Sequence, residues 1–305
     1  MSSFTEKERE CEMAFDKSGP FWHLYTDGRI MTDFLCCEED FKIAMTALAV
    51  TAILSTKVLI ITFELMSNHL HLIMSGDSED CMEFFSSFKT RLRKVLLSLG
   101  RIIDWDPFCA EILPIETLTA LRNEIIYVNR NAFVANPQYT PFNYPWGGGT
   151  AYFTPCIHAL PARSVKEIGF NKSRKLTHFR EIKLIEKLEF VGDTAHIPSF
   201  CRIDIGEQMF RDARSYFNSL TRNAEAFSQI AERLKDTVFL TDDEMYAAAV
   251  KCAKQAFDNQ QLATLSPDQK IKLSKELHFK YNASKQQIRR ILRLDLTLLN
   301  ELFPT

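Results

Sequence analysis

Two strand-like runs separated by a two-residue turn constrain this chain more than any other feature. Val58 to Met66 is apolar and β-branched, His69 to Met74 is again strand-like, and only Ser67-Asn68 stands between them. A gap that short points to an antiparallel pair. Phe21 to Tyr25 is a short aromatic-rich run ending at the turn dipeptide Asp27-Gly28, and it reads as an earlier strand. Phe41, Ala44, Met45, Leu48, Ala49 and Ala52 recur at helical spacing, as do Phe84, Phe85, Phe88, Leu92, Val95, Leu96 and Leu99, the second set closed by Gly100. A short strand near Cys109 to Leu113 and a helix from Leu118 to Asn131 complete the series.

The order strand, helix, strand, strand, helix, strand, helix predicts an α+β domain of the split βαβ, ferredoxin-like kind, an antiparallel sheet with helices on one face. At 305 residues, 46% hydrophobic and 25% charged, the chain has ordinary globular composition and enough length for two domains. Its net charge of -2 supplies no global field to draw in nucleic acid, so any basic surface must be local. From Arg163 to Lys183 seven Lys or Arg stand against two Glu. With the Pro, Trp and Gly cluster at Pro141 to Gly149 before it, this predicts a domain over 15–155 and a basic linker or arm over 156–198. Residues 199–305 read as helical, with Glu207 to Leu234, Asp242 to Phe257, Pro267 to Phe279 and Ser284 to Leu292 as the clearest segments.

Met1 to Cys11 mixes charges of both signs and does not look like a secretory signal. The uncharged run Ile43 to Thr56 is 14 residues long, short of the roughly 20 that span a bilayer. A soluble, cytoplasmic protein with no membrane partner is the expectation. Eight cysteines without a Cys-x-x-Cys pair signal neither a zinc knuckle nor a disulfide framework, and read as reduced and mostly buried.

His69-Leu70-His71 is the sharpest chemical feature. On a strand, side chains two apart share a face and can share a metal ion, although two histidines on a strand are also an ordinary chance occurrence in a chain with seven. Two imidazoles leave a divalent site incomplete, so a third donor must come from elsewhere. Tyr127 and Asn131 are four apart on one helical face. By spacing alone, Ile125-Ile126-Tyr127-Val128 is equally a helix packed on the sheet with Tyr127 as an amphipathic core residue.

Taken in order, Glu64-Leu-Met-Ser-Asn-His-Leu-His-Leu-Ile-Met74, Ser87-Phe-Lys-Thr-Arg-Leu-Arg93, Tyr127-Val-Asn-Arg-Asn131 and Tyr144-Pro-Trp146 resemble the motif blocks of the REP-associated tyrosine transposases. These belong to the HUH single-strand endonucleases. The resemblance covers about residues 20 to 155. It implies that His69 and His71 are metal ligands, that Asn131 is the third ligand, and that Tyr127 is the nucleophile. The implied cofactor is divalent Mg²⁺ or Mn²⁺. The implied reaction cuts and rejoins single-stranded DNA near hairpin-forming repeats through a 5'-phosphotyrosine, in a bacterial, nucleoid-associated monomer or homodimer. Exchanging one phosphodiester for another needs no nucleotide cofactor, and no Gly-x-x-x-x-Gly-Lys-Ser/Thr is present. The sequence departs from the family pattern at Ser67, Ala132 and Asn136, none of them a catalytic position.

For DNA, Lys89, Arg91, Arg93 and Lys94 on the Cys81 to Leu99 helix can pair with backbone phosphates. Pro267 to Phe279, Lys280-Tyr-Asn-Ala283 and Ser284 to Leu292 resemble a helix-turn-helix over 266–293, whose second helix offers Lys285, Gln286, Gln287, Arg289 and Arg290. Two rival readings remain: a DNA-binding regulator on the same fold that no longer cuts, and a two-histidine metallohydrolase that activates water.

Overall fold

The computed structural model describes residues 2–135, 139–140, 143–222, 230, 233–234 and 240–303. Asn136, with 223–229 and 231–232 of the predicted 207–234 helix, lies outside the described residues; where it is described, that stretch is not one helix but breaks at 209–212 between helices Ile203–Gln208 and Ala213–Arg222. The chain divides into two compact units, Met1–Phe217 and Asn218–Thr305.

In the first unit, α1 (Ser2–Ser18) leads into β1 (Phe21–Thr26), and α2 (Glu38–Leu54) follows. The hairpin forms as β2 (Leu59–Leu65) and β3 (Leu70–Ser75), within one residue of the expected bounds. Next come α3 (Ser78–Ser98), β4 (Ala110–Ile115) and α4 (Leu118–Ala135). α3 ends as its sequence predicts. Gly100 takes a φ of +78°, and the amides of Gly100 and Arg101 return to the carbonyls of Leu97 and Leu96, satisfying the free end of the helix. Thr117 caps α4 by accepting from the Ala120 amide at 3.1 Å.

The sheet order is β2-β3-β1-β4, and every neighbouring pair is antiparallel. The α2 crossover from β1 to β2 and the α3 crossover from β3 to β4 each skip one strand. Right-handed crossovers put both helices on the same face, where α2 and α3 pack on each other. α4 covers the opposite face: its Glu124 bonds His23 of β1 and its Asn129 bonds Thr62 of β2. Helices on both faces correct the expectation of helices on one face. All six residues of β3 are buried, and a strand dry on both sides requires two covering layers.

The outer edge of β2 is closed as well, through bridges from Ile60 to Cys201 and from Glu64 to Gly147. Tyr144-Pro-Trp146 does structural work at that edge. The Tyr144 hydroxyl donates to the Leu65 carbonyl, the Leu65 amide donates to the Trp146 carbonyl at 2.9 Å, and the Trp146 ring stacks on Phe41 of α2 at 5.4 Å.

Residues 156–198, expected as a basic linker or arm, form a second small sheet with strand order β5-β6-β7. Its strands are β5 (Arg163–Ser164), β6 (Glu189–Val191) and β7 (Thr194–Ala195), joined through α5 (Val165–Ile168) and α6 (Phe170–Thr177), and β7 and α6 lie against α2. Val165, Ile185, Leu188 and Phe190 are buried between the basic residues, which is enough apolar surface to anchor the segment. The unit boundary falls near 217 rather than 198, because Cys201 lies on β2 and Tyr216 bonds Asn129 of α4.

The described residues of the second unit are mostly helical. Helices Asp242–Phe257, Pro267–Tyr281 and Lys285–Leu292 each begin at a capping box, on Thr241, Ser266 and Ser284 respectively. Met245, Cys252, Leu273, Leu277, Ile288, Leu292 and Leu299 form its core. The helix pair expected over 266–293 is present, its break made by Asn282 at a φ of +49°. No helix among the described residues is long and apolar enough to cross a membrane.

All eight cysteines are free; Cys11, Cys81, Cys201 and Cys252 are buried, whereas Cys36, Cys37, Cys109 and Cys156 are exposed, so the expectation of mostly buried thiols holds for half. Burial pushes the Cys81 thiol up to about 12, and only thiolates attack disulfide reagents rapidly. A thiol titration of the native protein at neutral pH is therefore expected to count four fast groups. The buried four should react only on denaturation, with the labelled peptides identified by mass spectrometry.

Candidate active site

Strand register fixes one polar row across the α4 face of the sheet. Glu64 pairs with His71, His71 with Tyr25, and Tyr25 with Glu111, one residue from each of the four strands. Directly paired residues on neighbouring strands project to the same side, so the row forms a continuous track. Glu64, His71 and Tyr25 are buried in it, and the Tyr25 hydroxyl donates to Glu111 Oε2 at 2.7 Å. His69 sits just before β3 with its ring 5.2 Å from that of His71.

Glu124, Tyr127, Val128 and Asn131 share one face of α4 at the i, i+3, i+4, i+7 spacing, and that face meets the sheet through Glu124 on His23 and Tyr127 on His71. The Tyr127 ring lies edge-on to His71 at 5.7 Å and 6.2 Å from His23. The Nε2 atoms of His69 and His71 and the Nδ2 atom of Asn131 are all buried. His69, His71 and Tyr127 are thus brought together, and Asn131 lies one turn beyond Tyr127 on the same stripe.

The residues around His69 select its tautomer. Asn68 spends both amide hydrogens on the carbonyls of Gly28 and Met31, at 2.7 and 3.0 Å, so the atom facing His69 is its oxygen. That oxygen accepts from His69 Nδ1 at 2.7 Å, which leaves the lone pair of neutral His69 on Nε2, the atom able to bind a metal. Gly28 makes the arrangement possible, because a Cβ there would stand 2.6 Å from His69 Nδ1. Gly28→Ala is expected to push the ring off Asn68 and weaken Mn²⁺ binding about tenfold or more, read by calorimetric titration.

Among the described residues no three His, Cys, Asp or Glu side chains gather where they could hold an ion; the third donor that the family resemblance implies is the Asn131 amide. Its Nδ2 has no hydrogen-bond partner among the described residues. A 180° turn of the amide exchanges its two ends and presents an oxygen in that position. An amide oxygen and two imidazole nitrogens are donor types that suit a borderline divalent cation, and to that extent the residue types fit.

The other candidates lie elsewhere. α3 covers the opposite face of the sheet, so Lys89, Arg93 and Lys94 do not line the imidazole site. Arg91 turns toward α2, its Nε donating to Thr51 Oγ1 at 3.3 Å and its guanidinium 5.0 Å from the Phe179 ring; burial lowers its pKa. In the second unit Gln287 is committed to structure. It closes the capping box with Ser284 and donates to the Leu240 carbonyl at 2.7 Å. Arg290 forms a two-pronged pair with Asp242 at 2.7 and 2.9 Å. Arg289 is exposed and Lys285 half-buried.

Sequence reasoning missed His23, Glu124, Gly28 and Asn68. His23 and Tyr25 alternate on β1 as His69 and His71 do near β3, and that shared period was the available signal. Tyr144 is a further tyrosine near Glu64, but burial first, with Glu64 next, drives its phenol far above the usual range. It remains a structural donor to Leu65. Compared with known proteins, the chain matches no family model, no curated protein and no solved structure.

Proposed function

We propose that this chain is a metal-dependent single-stranded DNA endonuclease and strand transferase of the REP-associated tyrosine transposase type, with Tyr127 as nucleophile. The observation that carries the reading is the Tyr127 ring 5.7 Å from His71, whose own ring lies 5.2 Å from that of His69. The strand order β2-β3-β1-β4 with two interleaved helical crossovers supports a ferredoxin-like assignment for the first unit. The helix pair at 266–293 is consistent with a DNA-reading module in the second.

His69, His71 and Asn131 would hold the cation. When bound, it supplies charge neutralisation at a non-bridging phosphate oxygen, which makes phosphorus more electrophilic. Tyr127 contributes the attacking oxygen: its bond to phosphorus forms as the bond to the 3' oxygen breaks. The phenol proton is lost and the departing 3' oxygen gains one. The covalent product keeps a diester, so a returning 3' hydroxyl can reverse the step with no other energy source.

A DNA-binding regulator that does not cut is favoured by one observation, the 6% exposure of Tyr127, which leaves little of the phenol open to a phosphate. One experiment separates the readings. Wild-type protein is incubated with labelled single-stranded hairpin DNA and Mn²⁺ and run on a denaturing gel. A protein–DNA adduct that needs the metal is the expected result. Binding without cleavage would establish the regulator, and cleavage without an adduct would establish attack by water.

A further inference from the structure

His71 is approached from behind by a second histidine and a carboxylate. Glu124 Oε2 lies 2.8 Å from His23 Nδ1, and His23 Nε2 lies 3.0 Å from His71 Nδ1. His23 is fully buried, and Glu124 and His71 are 2% and 1% exposed, so bulk water does not compete for these bonds. Direction follows from donor and acceptor chemistry. An ionised carboxylate only accepts, so the His23 hydrogen sits on Nδ1. Neutral His23 then offers a lone pair at Nε2, which accepts from His71 Nδ1. The hydrogen of His71 is thereby fixed on Nδ1 and its lone pair on Nε2.

We infer that Glu124 and His23 are positioning residues that act as a tautomer relay, holding His71 as an Nε2 metal donor. The inference rests on the metal site of the proposed function and deepens it. Two further features of the site converge on it. Asn68 imposes the same tautomer on His69 by a separate route, so both imidazoles present the same nitrogen. Glu124 also stands one helical turn before Tyr127, so the bond that ends the relay docks α4 where its tyrosine ring meets His71. Ligand chemistry and nucleophile placement therefore share one buried contact. Nothing in the paired-histidine motif itself specifies which nitrogen is free; outer groups commonly do so, and losing them costs about 10- to 100-fold in metal affinity.

The test uses the full chain with ¹⁵N-labelled histidine, free of metal and DNA. Imidazole ¹⁵N–¹H spectra at neutral pH should show wild-type His71 protonated on Nδ1. In Glu124→Gln the side-chain amide can donate to His23 Nδ1 as readily as accept from it. His71 should then sample both tautomers, and Mn²⁺ affinity by calorimetry should fall about 10- to 100-fold. His23→Gln, whose carbonyl can still accept from His71 Nδ1, should keep affinity closer to wild type than Glu124→Gln does. Melting curves identify any variant that fails to fold, and the wild-type spectrum needs no variant. Wild-type His71 protonated on Nε2 would overturn the relay, as would unchanged Mn²⁺ affinity in folded Glu124→Gln. If the spectra and affinities come out as stated while no DNA adduct forms, the relay stands and the transposase reading fails.

Discussion

Tyr127→Phe is expected to abolish the covalent DNA adduct, a loss on the order of 10⁴ or more in its rate of formation, while Mn²⁺ affinity stays at the wild-type level. The variant removes one oxygen and keeps the ring that packs on His71 and His23 at 5.7 and 6.2 Å, so the imidazoles keep their supports. Tyr25→Phe is the matched control. Its ring stacks near His71 at 6.4 Å, and its hydroxyl is bonded to Glu111, so it is close to the site but engaged elsewhere. Tyr25→Phe should retain adduct formation. Loss of the adduct in Tyr25→Phe with retention in Tyr127→Phe, read on the same denaturing gel, would reassign the nucleophile.

The second large effect separates two asparagines of one helix. Asn129 accepts from the buried Thr62 hydroxyl and donates to the buried Tyr216 hydroxyl at 3.0 Å. Asn129→Ala leaves both hydroxyls without that partner, and each buried orphan costs about 1–3 kcal/mol. A stability loss of about 2–4 kcal/mol follows, which for a unit of this size lowers Tm by on the order of 10 °C. Asn131→Ala should behave in the opposite way. Its Nδ2 makes no hydrogen bond among the described residues, so thermal stability should fall by less than about 1 kcal/mol. Mn²⁺ affinity should drop instead. Calorimetric melts and metal titrations of both variants check the contrast; a large Tm loss in Asn131→Ala with metal binding intact would make that residue structural and remove the third donor.

The parts of the site that could be read early are those whose relationship lies within one element. His69 and His71 share a face because the strand period is two, and Tyr127 and Asn131 share a stripe because the helical period is near four. The alternation of His23 with Tyr25 was legible, but its meeting with Glu124 and His71 was not, because His23 and Glu124 are 101 residues apart and His23 and His71 are 48 apart. Nothing local announces that such residues meet. The 156–198 stretch misled for a related reason. Its basic residues dominate the composition, yet Val165, Ile185, Leu188 and Phe190 suffice to bury it against α2. In the 266–293 helix pair, the residue types suggested base contacts, but Gln287 and Arg290 are occupied by the Leu240 carbonyl and Asp242.

By itself the sequence determined the hairpin, helices α2, α3 and α4 with the Gly100 stop of α3, and the direction in which each chemical side chain leaves its own element. Tertiary structure alone decided that α4 rather than α3 covers the imidazole face, that Lys89, Arg93 and Lys94 lie on the far side of the sheet, and that Asn68 and the Glu124–His23 pair choose the tautomers of the two histidines. The physical reason is range. Backbone periodicity orients neighbours within a few residues, whereas the pairing of faces is set by how much apolar surface whole elements can bury together, and that sum is taken over residues far apart in the chain.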